Sequence, residues 1–149
     1  MPQSEVEIII SIKPPHVTNI LSSKKKFELR RRPLNVPIGT LIWIYSTLPS
    51  GRFAASARLI ALHVGTPGSL RHLAKDACVT SKEYDEYYCG ASQACALELG
   101  DVTEIPPGAE LRQIREKIDE SFHPPQFFQK TFNGSAIPNF LRSHIDKAA

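Results

Sequence analysis

Residues 22–32 read SSKKKFELRRR and set six cations, Lys24, Lys25, Lys26, Arg30, Arg31 and Arg32, around one carboxylate, Glu28. The chain carries a formal charge of +3, and its residues 24–32, with three Lys, three Arg and one Glu, carry +5, so the rest sums to −2. The positive charge is local. Such a concentration can hold a phosphate backbone, where each neutralised phosphate releases a counterion. The plainer reading of the same composition is a solvated basic strand or turn. Glu28 lies between Lys26 and Arg30, and cationic neighbours favour the carboxylate over the acid, which argues against a proton donor there. It can orient a lysine or arginine, accept a hydrogen bond from the exocyclic amine of a base, or form an ion pair of little energetic weight.

No other pattern competes with this one. There is no GxxxxGK[ST], no GxGxxG and no HExxH, which excludes the familiar phosphate-cradling loops and zincin sites. The histidines His16, His63, His72, His123 and His144 are scattered without metal-ligand spacing, and read as surface or satisfied structural residues. Glu83, Asp85 and Glu86 read as the polar face of a helix rather than a cation site. Cys78, Cys89 and Cys95 form no CxxC and leave one odd thiol, so neither a disulfide framework nor a zinc site fits, and a reducing cytoplasm suits them. No metal or cofactor is expected.

The elements that must position the cluster follow from periodicity. With 149 residues, 42% hydrophobic and 22% charged, the chain has the size and composition of one folded domain, residues 1–149. VEIIISI, residues 6–12, reads as a buried strand. Its apolar run is too short, and too closely flanked by Glu5, Glu7 and Lys13, for a signal peptide or membrane span, so no membrane partner is expected. After Pro14 and Pro15, the spacing of Val17, Ile20 and Leu21 predicts a two-turn helix. Residues 26–31 alternate, with Phe27 and Leu29 on one face and Lys26, Glu28 and Arg30 on the other, so half the charge run belongs to a strand. TLIWIYS reads as a central strand, and RFAASARLIALHV, with its small residues, as a strongly curved one ending near Gly65. Helical spacing then marks residues 69–78, 82–89 and, most clearly, ELRQIREKIDESF; ACALELGDVTEI is a further strand. QFFQKTF reads as the start of another helix, and NFLRSHI as a short C-terminal one in an extension over residues 133–149 beyond a core of about 6–132. Four or five strands mixed with short helices imply an α+β domain, a small closed or half-closed β-barrel with helices on its rim.

IKPPHVTNILSSKKKFELRRR resembles the opening of an ASCH domain, a branch of the PUA-like superfamily, whose signature G-x-K-x-x-E-x-R falls here on Ser23, Lys25, Glu28 and Arg30. WIYSTLP, YYCGASQACALEL and HPPQFF resemble later segments of the same family in the same order. The resemblance implies a PUA-like barrel with a cleft between barrel and helices, binding RNA or a modified nucleobase in the regulation of transcription or RNA metabolism. Carried over by position, Lys25, Glu28 and Arg30 would line the cleft, with Tyr45 and Ser46 near its wall and Gln126 at its rim. Lys24, Lys25, Arg31 and Arg52 would hold phosphates of single-stranded RNA, and Glu28, Tyr45 and Gln126 would read a base. The alternative is a hydrolase acting on single-stranded RNA or on a nucleoside such as N4-acetylcytidine, with Lys25 and Glu28 as the catalytic pair. Two positions depart from the pattern. Ser23 replaces the signature glycine, and Phe127 follows PPQ where many relatives have serine. Family amidohydrolases that act on N4-acetylcytidine pair the lysine with a threonine, whose place Glu28 takes here.

Overall fold

The computed structural model describes residues 6–148; residues 1–5 and 149 of the expected 1–149 domain lie outside the described residues. In chain order the elements are β1 (Val6–Ile12), α1 (Pro14–Leu21), β2 (Phe27–Arg30), β3 (Leu41–Ser46), β4 (Arg52–Gly65), α2 (Pro67–Leu70), α3 (Ser81–Tyr87), β5 (Ala94–Glu104), α4 (Leu111–Lys117), β6 (Phe128–Phe132) and α5 (Ala136–Ala148). The six strands form one mixed sheet in the order β2-β5-β4-β3-β1-β6. β1 runs parallel to β3, and the other neighbours pair antiparallel.

Both faces of the sheet centre are covered, which explains why IIISI and LIWIYS are apolar without alternation. On one face Ile8, Ile10, Ile42, Ile44 and Leu97 pack under Val17 and Ile20 of α1. On the other, Ile9, Trp43 and Phe53 meet Ile114 of α4 and Leu141 of α5, while Phe27, Leu29 and Ala96 meet Tyr84 and Tyr88 around α3. A second tie fastens α5: the Trp43 indole N–H donates to Glu7 Oε1 at 2.9 Å, and Arg142 pairs with the same carboxylate while lying over the Trp43 ring.

The sheet curls but does not close. β4 breaks register at Ser56/Arg58 and Leu59/Ala61, and the fully buried Ala54, Ala55 and Ala57 leave room for the bend. The expected barrel therefore becomes an open sheet whose end strands are β2 and β6, with no ladder between them among the described residues. The Arg30 guanidinium of β2 nevertheless donates to the Ser11 carbonyl of β1 at 2.9 Å, although three strands separate the two in the sheet. Side chains bridge the seam that backbone ladders leave open.

Three local expectations are corrected. Residues 128–132, read as the start of a helix, are strand β6, because the free edge of β1 has backbone groups that need partners and Phe128 packs into the core beside it. The helix expected over ELRQIREKIDESF stops at Lys117, and a turn fastened by Asp119 on Ser121 delivers Phe122 to the core instead. The helix expected over 69–78 is broken into α2 and two 3₁₀ turns, ending at Cys78 in the left-handed region.

Candidate functional site

The local geometry of the signature begins at the end of α1. Ser23 has φ +65°, and the Lys24 and Ser23 amides donate to the carbonyls of Asn19 and Ile20, the reciprocal pattern of a Schellman ending. The position the signature reserves for glycine does need the left-handed region here, and this chain meets it with serine. The turn releases the chain so that Lys25 points inward while Lys24 stays in solvent.

Lys25 is buried, and its Nζ donates to the Ala77 carbonyl at 2.6 Å and lies 3.5 Å from Glu28 Oε1. The other carboxylate oxygen of Glu28 meets Arg30 Nη2 at 2.7 Å. Glu28 thus spends both oxygens on two cations, and Arg30 in turn lies over the Phe127 ring, 5.2 Å from its centroid. Phe127, which replaces a hydroxyl residue of the family pattern, supplies an aromatic platform under the guanidinium. Burial pushes the Lys25 ammonium below the ordinary lysine value, and the negative charge of Glu28 partly restores it.

These side chains stand at one end of a cavity of about 630 Å³. Its walls come from Ser11 and Ile12 of β1, Lys13 and His16 at the start of α1, Thr47 after β3, Glu83, Tyr84 and Tyr87 of α3, and Pro124, Pro125 and Gln126 ahead of β6. The cavity is the open seam of the curled sheet. Tyr87 is fixed by its hydroxyl to the Leu29 carbonyl at 3.2 Å, and α3 itself is fixed by a capping box in which Thr80 and Glu83 exchange hydrogen bonds. Three buried polar atoms of cavity residues have no protein partner among the described residues: Ser11 Oγ, His16 Nδ1 and Arg30 Nε.

Of the residues singled out from the sequence, Lys25, Glu28, Arg30 and Gln126 line this cavity together. Lys24 is exposed beside it, and Arg31 is exposed with a hydrogen bond to the Cys89 carbonyl. Tyr45 is on the opposite face of the sheet, edge-on to Phe53, and Ser46 is buried at the end of β3 without lining the cavity. Arg52 also lies away from the cavity, bonded to the Ile105 carbonyl. The strand alternation that turns Ile44 toward α1 turns Tyr45 away from it. Sequence reasoning missed His16, Thr47, Tyr84 and Tyr87; only His16, three residues past the lysine of SIKP, sat near enough to the signature to be suspected. No three His, Cys, Asp or Glu side chains cluster as a metal site among the described residues.

A curled α+β sheet with a lysine, a glutamate and an arginine converging in its seam is what the motif S-x-K-x-x-E-x-R builds in this chain. The chain belongs to the ASCH domain family: a curated relative from Zymomonas mobilis, named ASCH domain-containing ribonuclease, is 34% identical over 121 residues, 80% of either chain. The crystal structure of ASCH from Zymomonas mobilis superposes with a TM-score of 0.82 at 31% identity, covering 92% of this chain and 94% of that one. The N-terminal domain of Staphylothermus marinus McrB shares the fold at 10% identity, with a TM-score of 0.55 over the full length of both chains. No family model matches the chain.

Proposed function

We propose that this protein binds single-stranded RNA in the seam cavity and cleaves it there. The observation that carries the reading is the buried Lys25–Glu28–Arg30 cluster at one end of an open cavity, in a chain whose relative is named a ribonuclease. Glu28 engages two of the cations and so fixes their positions. Among the described residues Lys25 has committed donors to Ala77 and Glu28, and its ammonium carries three. The third is available to an anionic phosphate oxygen, where preorganised charge stabilises a developing phosphorane. Tyr87, exposed at the cavity wall, offers ring surface to a base, and Gln126 offers an amide at the rim. Exposed Lys24, Arg31 and Arg32 continue the positive surface outside, for the flanking phosphates. We further place the whole of residues 1–149 in one PUA-like domain working in a reducing cytoplasm, supported by the packing of α5 against Trp43 and by three cysteines free of disulfides.

The test is a labelled single-stranded RNA oligonucleotide. Its affinity should fall steeply with salt, and Lys25→Met should lower cleavage by about 100-fold. The variant's thermal melt reports whether it is folded. Salt-independent binding, or full cleavage by a folded Lys25→Met protein, would refute the reading. A binding module without turnover is the second reading, favoured by the same ion pairs: Lys25 and Glu28 hold one another, which leaves neither as a free base. Tight, salt-sensitive binding without product would select it. Release of acetate from N4-acetylcytidine, lost in Lys25→Met, would instead select the nucleoside hydrolase.

A further inference from the structure

The Lys25–Glu28–Arg30 cluster explains charge stabilisation and leaves proton transfer unassigned, because each of its members is already engaged. One other cavity side chain has both the chemistry and the freedom. His16 stands in the first turn of α1, lines the cavity and is half-buried; its Nδ1 is sealed from solvent and has no protein hydrogen-bond partner among the described residues, so contact with a ligand falls to Nε2. Resting on the ribonuclease reading above, we infer that His16 is the general base that takes the proton from the attacking 2′-hydroxyl of the RNA.

The groups that face the imidazole are Lys13 at the cap of its own helix, Lys25 in the turn that follows it, Glu28 on β2 and Glu83 on α3. Burial, helped by Lys25, holds the ring below the ordinary histidine value against the opposing pull of the two carboxylates. Glu83 does not compete for the role, since the Thr80 amide on one of its oxygens, at 2.8 Å, holds its carboxyl below the ordinary carboxylate value and leaves it a weak base. A ring that rests neutral near pH 7 keeps a lone pair for a proton. In the step proposed, the 2′-hydroxyl proton passes to His16, the 2′-oxygen bonds to phosphorus and the bond from phosphorus to the 5′-oxygen breaks. The leaving 5′-oxygen takes a proton from water, and the imidazolium returns its own to solvent. The products are a 2′,3′-cyclic phosphate and a 5′-hydroxyl. Lys25 faces the charge that builds on the non-bridging oxygens while Arg30 and Glu28 keep it in place.

The experiment is a pH series of kcat/KM on a single-stranded RNA oligonucleotide, with product ends identified by mass. The wild type should show an acid limb with its midpoint below 6.5, the ordinary histidine value. His16→Gln should lower kcat/KM at neutral pH by about 100-fold or more, abolish that limb and leave the RNA Kd within about threefold. In His16→Ala, added imidazole should restore part of the rate. Rates or acid limbs unchanged in folded His16→Gln would overturn this inference while the ribonuclease reading stands, as would products ending in a 3′-hydroxyl. A wild type that binds the oligonucleotide and never cleaves it overturns both.

Discussion

At the scale of the residue, Glu28 is the organising group, because it is the common partner of two cations that would otherwise repel one another in a buried place. Replacing one partner of a buried pair leaves charge uncompensated, which costs about 3 kcal/mol where replacement of the whole set need not. Glu28→Gln should therefore lower the unfolding free energy, read from urea titration, by an amount of that order. It should also move Lys25 further below the ordinary lysine value, since the glutamate charge is what opposes the effect of burial. An Nζ titration by NMR that finds Lys25 unmoved in the variant would show that the pair is not coupled in solution. The lone glutamate in a run of cations was visible in the sequence, but its role was not. Alternation assigns it a face of β2, whereas its partnership with Lys25 needs the left-handed turn at Ser23 that brings the lysine back over the strand.

At the scale of the element, the strands and α1 were legible because their apolar periodicity is also the pattern by which they are buried. β6 was not, because FFQKT has aromatic residues at its start and solvent-facing polar ones after, and its identity comes from the free edge of β1. The wall of the cavity was hardest to see. Tyr84 and Tyr87 are three residues apart on α3, some 60 positions from the signature, and only packing of α3 on Phe27 and Leu29 puts them beside it. That wall depends on the cap that starts α3, where the Thr80 hydroxyl accepts from the Glu83 amide at 3.1 Å. Thr80→Ala should cost about 1 kcal/mol of stability. It should also weaken RNA binding without changing the rate at saturation, because it loosens the wall proposed to meet the base and leaves the charge cluster intact; a fall in kcat with unchanged KM would argue that α3 bears on the chemistry itself.

At the scale of the whole molecule, the seam of an almost closed sheet holds cationic and titratable groups that a closed barrel would have no place for, and this couples the site to stability. His16 is held below its ordinary value of 6.5 in the folded state, by burial first and by Lys25 second. Between the folded value and 6.5 the unfolded chain therefore binds more protons than the folded one. Stability is full above that window and is lost as pH falls through 6.5 toward the folded value. Lys25 has the same sign in a window below its ordinary 10.5, where rising pH favours the folded state. Carboxylates act lower: Glu83, Asp85 and Asp119 are depressed by their hydrogen bonds, so their contribution is lost only as pH falls below the ordinary carboxylate range. As pH falls through 6.5, urea midpoints should fall more for the wild type than for His16→Gln, and the two proteins should decline in parallel once the folded imidazole is protonated. Parallel curves across the whole range would mean that the imidazole charges as freely in the seam as in water, and that the cavity is wetter and less polarised by Lys25 than its packing implies.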